Sequence, residues 1–89
     1  MATQNEIIKN MTNLGDSGQD DFVENWTEYA KQMLYEMGVS NNYINSNNAS
    51  YILAKIVTDL VDDGGLSNTT QAMIATLRVN HSHSEDDNV

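Results

Sequence analysis

The sequence contains no cysteine and no proline, and it has few basic residues. Without cysteine, neither a disulfide framework nor a cysteine-based zinc site stabilises the fold. No apolar run approaches the roughly 18 residues that a bilayer-spanning helix needs, so we expect no membrane partner. A domain of 89 residues buries only roughly 60 to 65% of the surface that its unfolded chain exposes. We therefore expect association with other chains to complete its stabilisation.

Basic charge is scarce. Thirteen acidic residues against four basic ones give a formal net charge of -9. The basic residues Lys9, Lys31, Lys55 and Arg78 fall one per predicted helix instead of clustering. Contacts with phosphates need a concentrated basic surface, so the sequence argues against specific nucleic-acid binding. The acid excess keeps a protein soluble and repels polyanions from the surface that carries it.

Hydrophobic periodicity predicts an all-α fold, a small domain of four helices followed by a flexible acidic C-terminal tail. The first helix spans about residues 3 to 12, where Thr3 and Glu6 form a capping-box pattern. Gly15 and Gly18 then indicate a turn.

The second helix starts near Asp20 and ends at Gly38. A glycine there favours a Schellman-type cap, in which Val39 closes back on Leu34. One apolar stripe is predicted along this helix: Phe22, Trp26, Tyr29 or Ala30, Met33 and Met37.

Residues 40–48 contain five asparagines and predict a polar loop that cannot build a core. The third helix is predicted over residues 49–62, and Gly64 and Gly65 end it. Its apolar residues cover more than one face, which predicts a central helix touched from two sides. They are Ile52, Leu53, Ile56, Val57, Leu60 and Val61.

The last helix is capped by Ser67 or Asn68, and its predicted buried edge is Met73, Ile74 and Leu77. Residues 1–79 then form the helical domain, and residues 80–89 form the tail. The tail is polar apart from its final valine, so we expect it to be disordered unless something holds it.

Residues typical of catalytic sites are sparse. His81 and His83 are the only histidines, and both lie in the predicted tail, with no base beside a nucleophile elsewhere. Asp59, Asp62 and Asp63 are expected at an exposed helix end, where no burial raises a pKa for acid–base work. We therefore predict no enzyme, no cofactor and no metal site.

Two features indicate partner contacts. Asp59, Asp62 and Asp63 lie at a helix C-terminus, where the helix dipole disfavours acids, so they could face a basic partner or a channel. Trp26 and Tyr29 belong to the predicted apolar stripe and either join the core or anchor a neighbouring subunit. All five are candidate partner-contact residues.

Taken in order, five segments resemble the small head–tail connector (adaptor) proteins of tailed bacteriophages. They are residues 6–10 (EIIKN), 20–25 (DDFVEN), 29–39 (YAKQMLYEMGV), 51–64 (YILAKIVTDLVDDG) and 73–79 (MIATLRV). The resemblance covers roughly residues 3 to 80 and is one of pattern, without a catalytic signature.

This resemblance implies a protein of the virion neck that is assembled in the host cytoplasm. Such connectors dock as a ring, commonly a dodecamer, beneath the portal protein of a filled capsid and offer a platform for the next neck or tail protein. An acidic bore would let DNA pass without sticking. The C-terminal segment often reaches toward the portal, which makes Arg78, His81 and His83 candidate partner contacts.

A second interpretation stays open. A small acidic inhibitor could mimic nucleic acid and block a basic site on a partner protein, as the charge of -9 suggests. The two interpretations differ in stoichiometry and in salt dependence, because a mimic binds in one or two copies and weakens steeply with salt.

Overall fold

The computed structural model describes residues 3–12 and 20–87, and within these ranges the chain is all-α, as predicted. Four long helices and two single-turn helices follow one another: α1 (Gln4–Thr12), α2 (Asp20–Glu36), α3 (Asn41–Ile44), α4 (Ser50–Asp63), α5 (Asn68–Asn80) and α6 (Ser84–Asp87). A 3-10 turn, Asn47–Ala49, precedes α4. The turn predicted at Gly15 and Gly18 lies outside the described residues.

The start of α1 has the predicted capping box. The backbone N–H of Glu6 donates to the Thr3 hydroxyl at 3.2 Å, and the Thr3 N–H donates to the Glu6 carboxylate at 3.3 Å. Each side chain therefore satisfies a backbone donor that the first helical turn leaves free.

The end of α2 has the predicted Schellman cap. Gly38 adopts a φ of +106°, a conformation that side chains with a Cβ rarely adopt. The Val39 N–H donates to the Leu34 carbonyl at 3.0 Å, and the Gly38 N–H donates to the Tyr35 carbonyl at 3.1 Å. These two bonds end the helix and turn the chain toward α3.

The buried face of α2 agrees with the predicted stripe only at Ala30. Among the side chains that the structure describes, this face consists of Val23, Thr27, Ala30 and Leu34. The predicted side chain of Phe22 lies outside the described ones. Trp26, Met33 and Met37 are only half-buried and pack along the edge of the core, whereas Tyr29 is 52% exposed. Of the two predicted alternatives Tyr29 and Ala30, the smaller one is buried, because the described centre of the contact holds small and medium side chains that allow close helix packing.

The central helix is α4, as predicted. It packs against α1, α2 and α5. Its buried apolar residues are Ile52, Leu53, Ala54, Ile56 and Val57, and the core around them is completed by residues such as Ile8, Leu34 and Ile74. Gly64, at a φ of +72°, ends the helix and donates its N–H to the Leu60 carbonyl at 3.1 Å.

The segment predicted as a polar loop, residues 40–48, contains α3 and contributes to the core. Ser40 caps α3 by accepting the Tyr43 N–H at 3.2 Å, and Ile44 is buried. The Gln4 side chain donates to the carbonyls of Ile44 and Ser46, each at 2.7 Å. The prediction that this segment builds no core is wrong, because Ser40 caps a helical turn whose last residue, Ile44, belongs to the core.

Candidate partner-binding surfaces

Asp59 does not lie at an exposed helix end, and this prediction is wrong. Its side chain is 5% exposed and accepts hydrogen bonds from the Thr70 hydroxyl at 2.5 Å and the Ser67 N–H at 3.1 Å. The hydrogen bond from Thr70 is the main cause that lowers the pKa of Asp59 below its usual value. Asp59 therefore joins α4 to the start of α5 and presents nothing to a partner.

Asp62 and Asp63 are exposed in the last turn of α4, as predicted. Together they leave two negative charges at the surface, beside Gly64 and Gly65. The structure thus separates the three acids that the sequence grouped, because only Asp59 faces α5.

An exposed apolar surface runs along α2, and we call it the Tyr29 surface. Its large side chains are Tyr29 and Tyr35, which border a groove of about 510 Å³ together with Glu28, Gln32 and Asn45. The rings of Trp26 and Tyr29 meet edge to face with centroids 6.1 Å apart. The half-buried Trp26 thereby supports the exposed Tyr29 from the side of the core.

A second exposed apolar surface lies on α1, α4 and α5, and we call it the Tyr51 surface. Tyr51 is 56% exposed and stands between two grooves. One groove, of about 300 Å³, is bordered by Met11 and Lys55, and the other, of about 350 Å³, by Met73 and Leu77. Tyr51 was not a predicted contact residue, although a large aromatic ring at the start of an apolar helix is a signal for such a surface.

Residues 81–87, which we call the strap, contact the junction of α2 and α3. Ser82 and Val39 form an antiparallel bridge, and the Ser40 N–H donates to the His81 carbonyl at 2.8 Å. The tail prediction allowed for order if something held this segment, and this junction provides the contacts. Residues 88 and 89 lie outside the described residues.

Both histidines of the strap stack on tyrosines. His81 lies on Tyr43 with ring centroids 4.3 Å apart, and His83 lies on Tyr35 at 4.2 Å. Nε2–H of His83 also donates to the Tyr35 carbonyl at 2.7 Å. The structure therefore gives these two predicted partner-contact residues partners within the same chain.

Asp86 binds the first turn of α3. Its carboxylate accepts the N–H of Asn41 at 2.7 Å and that of Asn42 at 2.9 Å. With Ser40 accepting the N–H of Tyr43, the first three donors of the helix are satisfied. A carboxylate at a helix N-terminus is also favoured by the helix dipole. We call Tyr35 together with residues 39–43 the seat of the strap.

Arg78 lies where α5 approaches the end of α2. A Cβ added to Gly38 would come within 2.7 Å of Cγ and Cδ of Arg78. The aliphatic part of this exposed side chain thus packs on the glycine of the Schellman cap. Arg78 is one more predicted partner-contact residue with a contact in its own chain.

Among the residues that the structure describes, no group of three or more histidines and carboxylates could hold a metal ion. No helix in these ranges is long and apolar enough to span a bilayer. Comparisons of the chain with protein-family models, curated proteins and solved structures gave no match.

Proposed function

We propose that this chain is a structural protein of the neck of a tailed bacteriophage. In this proposal it is a head–tail connector that forms a ring on the portal and supports the next neck or tail protein. The pair of exposed apolar surfaces carries the proposal, because the grooves of the Tyr29 surface and the Tyr51 surface share no residue. Rings require a heterologous contact, in which two different patches of each copy meet.

The composition of both surfaces suits such a contact. Tyrosine and methionine are enriched at protein interfaces, and Tyr29, Tyr51 and Met11 each expose about half of their area. Glu28 and Lys31 both border the Tyr29 surface, 4.0 Å apart, and Lys55 borders the Tyr51 surface. These charges lie at the rims of apolar patches, where they contribute little affinity.

The charge of the chain supports the passage of DNA through the ring. The formal net charge is -9, and Asp62 and Asp63 are exposed. Wherever such a surface lines a bore, it repels the phosphate backbone and keeps DNA from adhering. The segments that resemble connector proteins support the same assignment.

Light scattering of the purified chain with and without a portal protein tests the proposal. We expect a ring on the portal, and we expect Tyr29→Ala and Tyr51→Ala each to reduce assembly while the monomer keeps its thermal stability. Asn25→Ala, an exposed polar position on α2, is the matched control. In particles that carry the protein, cryo-EM should show density at the portal–tail junction.

Two outcomes would contradict this function. Absence of that density in the particles would remove the connector assignment. Binding of one or two copies to a basic protein, with affinity that falls steeply from about 50 to about 200 mM salt, would instead favour the acidic inhibitor.

A further inference from the structure

The strap is bound in the way that proteins bind peptides. The Ser82–Val39 bridge and the bond from the Ser40 N–H to the His81 carbonyl add a short extended segment to the backbone of the seat. The two histidine–tyrosine stacks then fix the side chains. Edge pairing supplies affinity in this mode, whereas alternate side chains supply specificity.

Asp86 adds a second element of recognition. Its two oxygens bond separate backbone donors of α3, at 2.7 and 2.9 Å. A peptide satisfies the whole seat when it pairs with residue 39, stacks a ring on Tyr43 and on Tyr35 from the positions before and after that pair, and carries a carboxylate four residues after it. The chain itself is the source of one such peptide, and every further copy brings an identical one.

The strap follows the last residue of α5 directly, and the end of this helix is exposed. Val79 is 79% exposed, and Asn80 is exposed as well. His81 is half-buried, and its N–H donates to the Leu77 carbonyl at 2.7 Å. Hydrogen bonds and ring stacks hold the strap, and the core residue paired with it is a single valine, Val39. The same contacts can form again with the seat of a neighbouring copy, which is the condition for exchange of an element between copies.

We infer that the seat is an interaction surface between copies of this chain, and that its occupant in the assembly is the strap of a second copy. The inference rests on the proposed ring, because neighbours held side by side present their straps at a high effective concentration. Each copy then gives a strap and receives one, so the exchange continues around the ring.

Cysteine pairs test the exchange, since the chain has no cysteine of its own. Residues opposite each other in an antiparallel pair have Cα atoms about 4.5 to 5.5 Å apart, a separation that a disulfide spans. One full-length variant carries Val39→Cys and another carries Ser82→Cys. When the two are mixed at about 1 mM and oxidised, we expect a disulfide-linked heterodimer on a non-reducing gel.

Two control mixtures distinguish strap exchange from disulfides that form by random collision of cysteines. Ala75→Cys, an exposed position on α5 that borders none of the three grooves, replaces Ser82→Cys in a matched mixture and should give at least several-fold less heterodimer. Adding Asp86→Asn to the Ser82→Cys chain should also lower the yield several-fold, because the carboxylate that binds α3 loses its charge. Equal yields in all three mixtures would overturn the inference.

A double variant with Val39→Cys and Ser82→Cys in one chain checks the seat itself. It should form a disulfide within the monomer at low protein concentration. Failure to form this disulfide would contradict the binding of the strap to the seat. On a portal, the same variant should give a ladder of linked copies. A portal ring in which every disulfide lies within a single chain would remove strap exchange and leave the connector function. Heterodimers without any portal binding would remove the connector function and leave strap exchange.

Discussion

The hydroxyl of Thr70 donates a 2.5 Å hydrogen bond to the carboxylate of Asp59, which is 5% exposed. Ser67, the N-cap of α5, adds its backbone N–H to the same oxygen at 3.1 Å. A buried carboxylate in the second half of α4 therefore ties this helix to the start of α5. In the connection between the two helices, the half-buried Leu66 adds an apolar contact with the core.

Asp59→Ala should lower the free energy of unfolding by about 1 to 3 kcal/mol, since the buried Thr70 hydroxyl and the part-buried Ser67 N–H both lose the carboxylate that accepts from them. Urea denaturation followed by circular dichroism measures this loss. Asp62→Asn is the control, because Asp62 is exposed and its replacement should stay within about 0.5 kcal/mol of the parent. Equal effects of the two variants would show that Asp59 is not a structural acid.

The contribution of Asp59 should depend on pH. Because the Thr70 hydrogen bond lowers the pKa of Asp59 in the folded state below its usual 3.8, the folded chain favours the ionised form. Its stabilisation is complete above pH 3.8 and is lost as pH falls through the lowered pKa. Unfolding free energies of the parent and Asp59→Asn should therefore converge over the interval in which the pH falls below 3.8. A constant difference across that interval would argue against the pKa assignment.

Gly38→Ala should be more destabilising than Gly64→Ala. Both glycines have positive φ, but a Cβ at Gly38 meets Arg78 at 2.7 Å, whereas a Cβ at Gly64 meets nothing within 4 Å. The backbone cost alone is about 1 to 2 kcal/mol, and the contact at Gly38 should add about 1 kcal/mol more.

A double-mutant cycle with Arg78→Ala isolates this contact. The shorter side chain removes Cγ and Cδ, so Gly38→Ala should cost less in that background than in the parent. Thermal denaturation of the four chains gives the coupling. Additive effects would mean that Arg78 moves aside without cost.

The true buried face of α2 can be checked with two truncations. Leu34 is fully buried, so Leu34→Ala should cost about 2 to 5 kcal/mol. Trp26 is only half-buried, so Trp26→Ala should cost about 2 kcal/mol, less than a fully buried tryptophan. Urea denaturation midpoints show which of the two variants loses more stability, and Asn25→Ala is the surface control. If Trp26→Ala lowered the free energy of unfolding more than Leu34→Ala, the predicted stripe would be the core face of α2.

Local signals in the sequence predicted the ends of the helices well. The Thr3–Glu6 capping box and the Gly38 cap appear in the structure with the expected bonds. The loop at residues 40–48 was predicted less well. Its five asparagines favoured a loop, whereas Ser40 caps a short helix there and Ile44 is buried.

The candidate sites were predicted less well than the helices. Tyr29, Asp62 and Asp63 are exposed, as a partner contact requires, whereas Asp59 is buried. Tyr51 was not among the predicted contacts. Exposure depends on which neighbouring helix covers a position, and no local pattern carries that information.

The sequence by itself determined the all-α class, the four long helices and their caps, because periodicity and capping act within a few residues of one another. Only the tertiary structure decided which side of α2 is buried, where Asp59 points and where the strap of residues 81–87 lies. These features depend on contacts between positions far apart in the chain, such as Asp86 with Asn41, whose geometry exists only after α4 and α5 have packed.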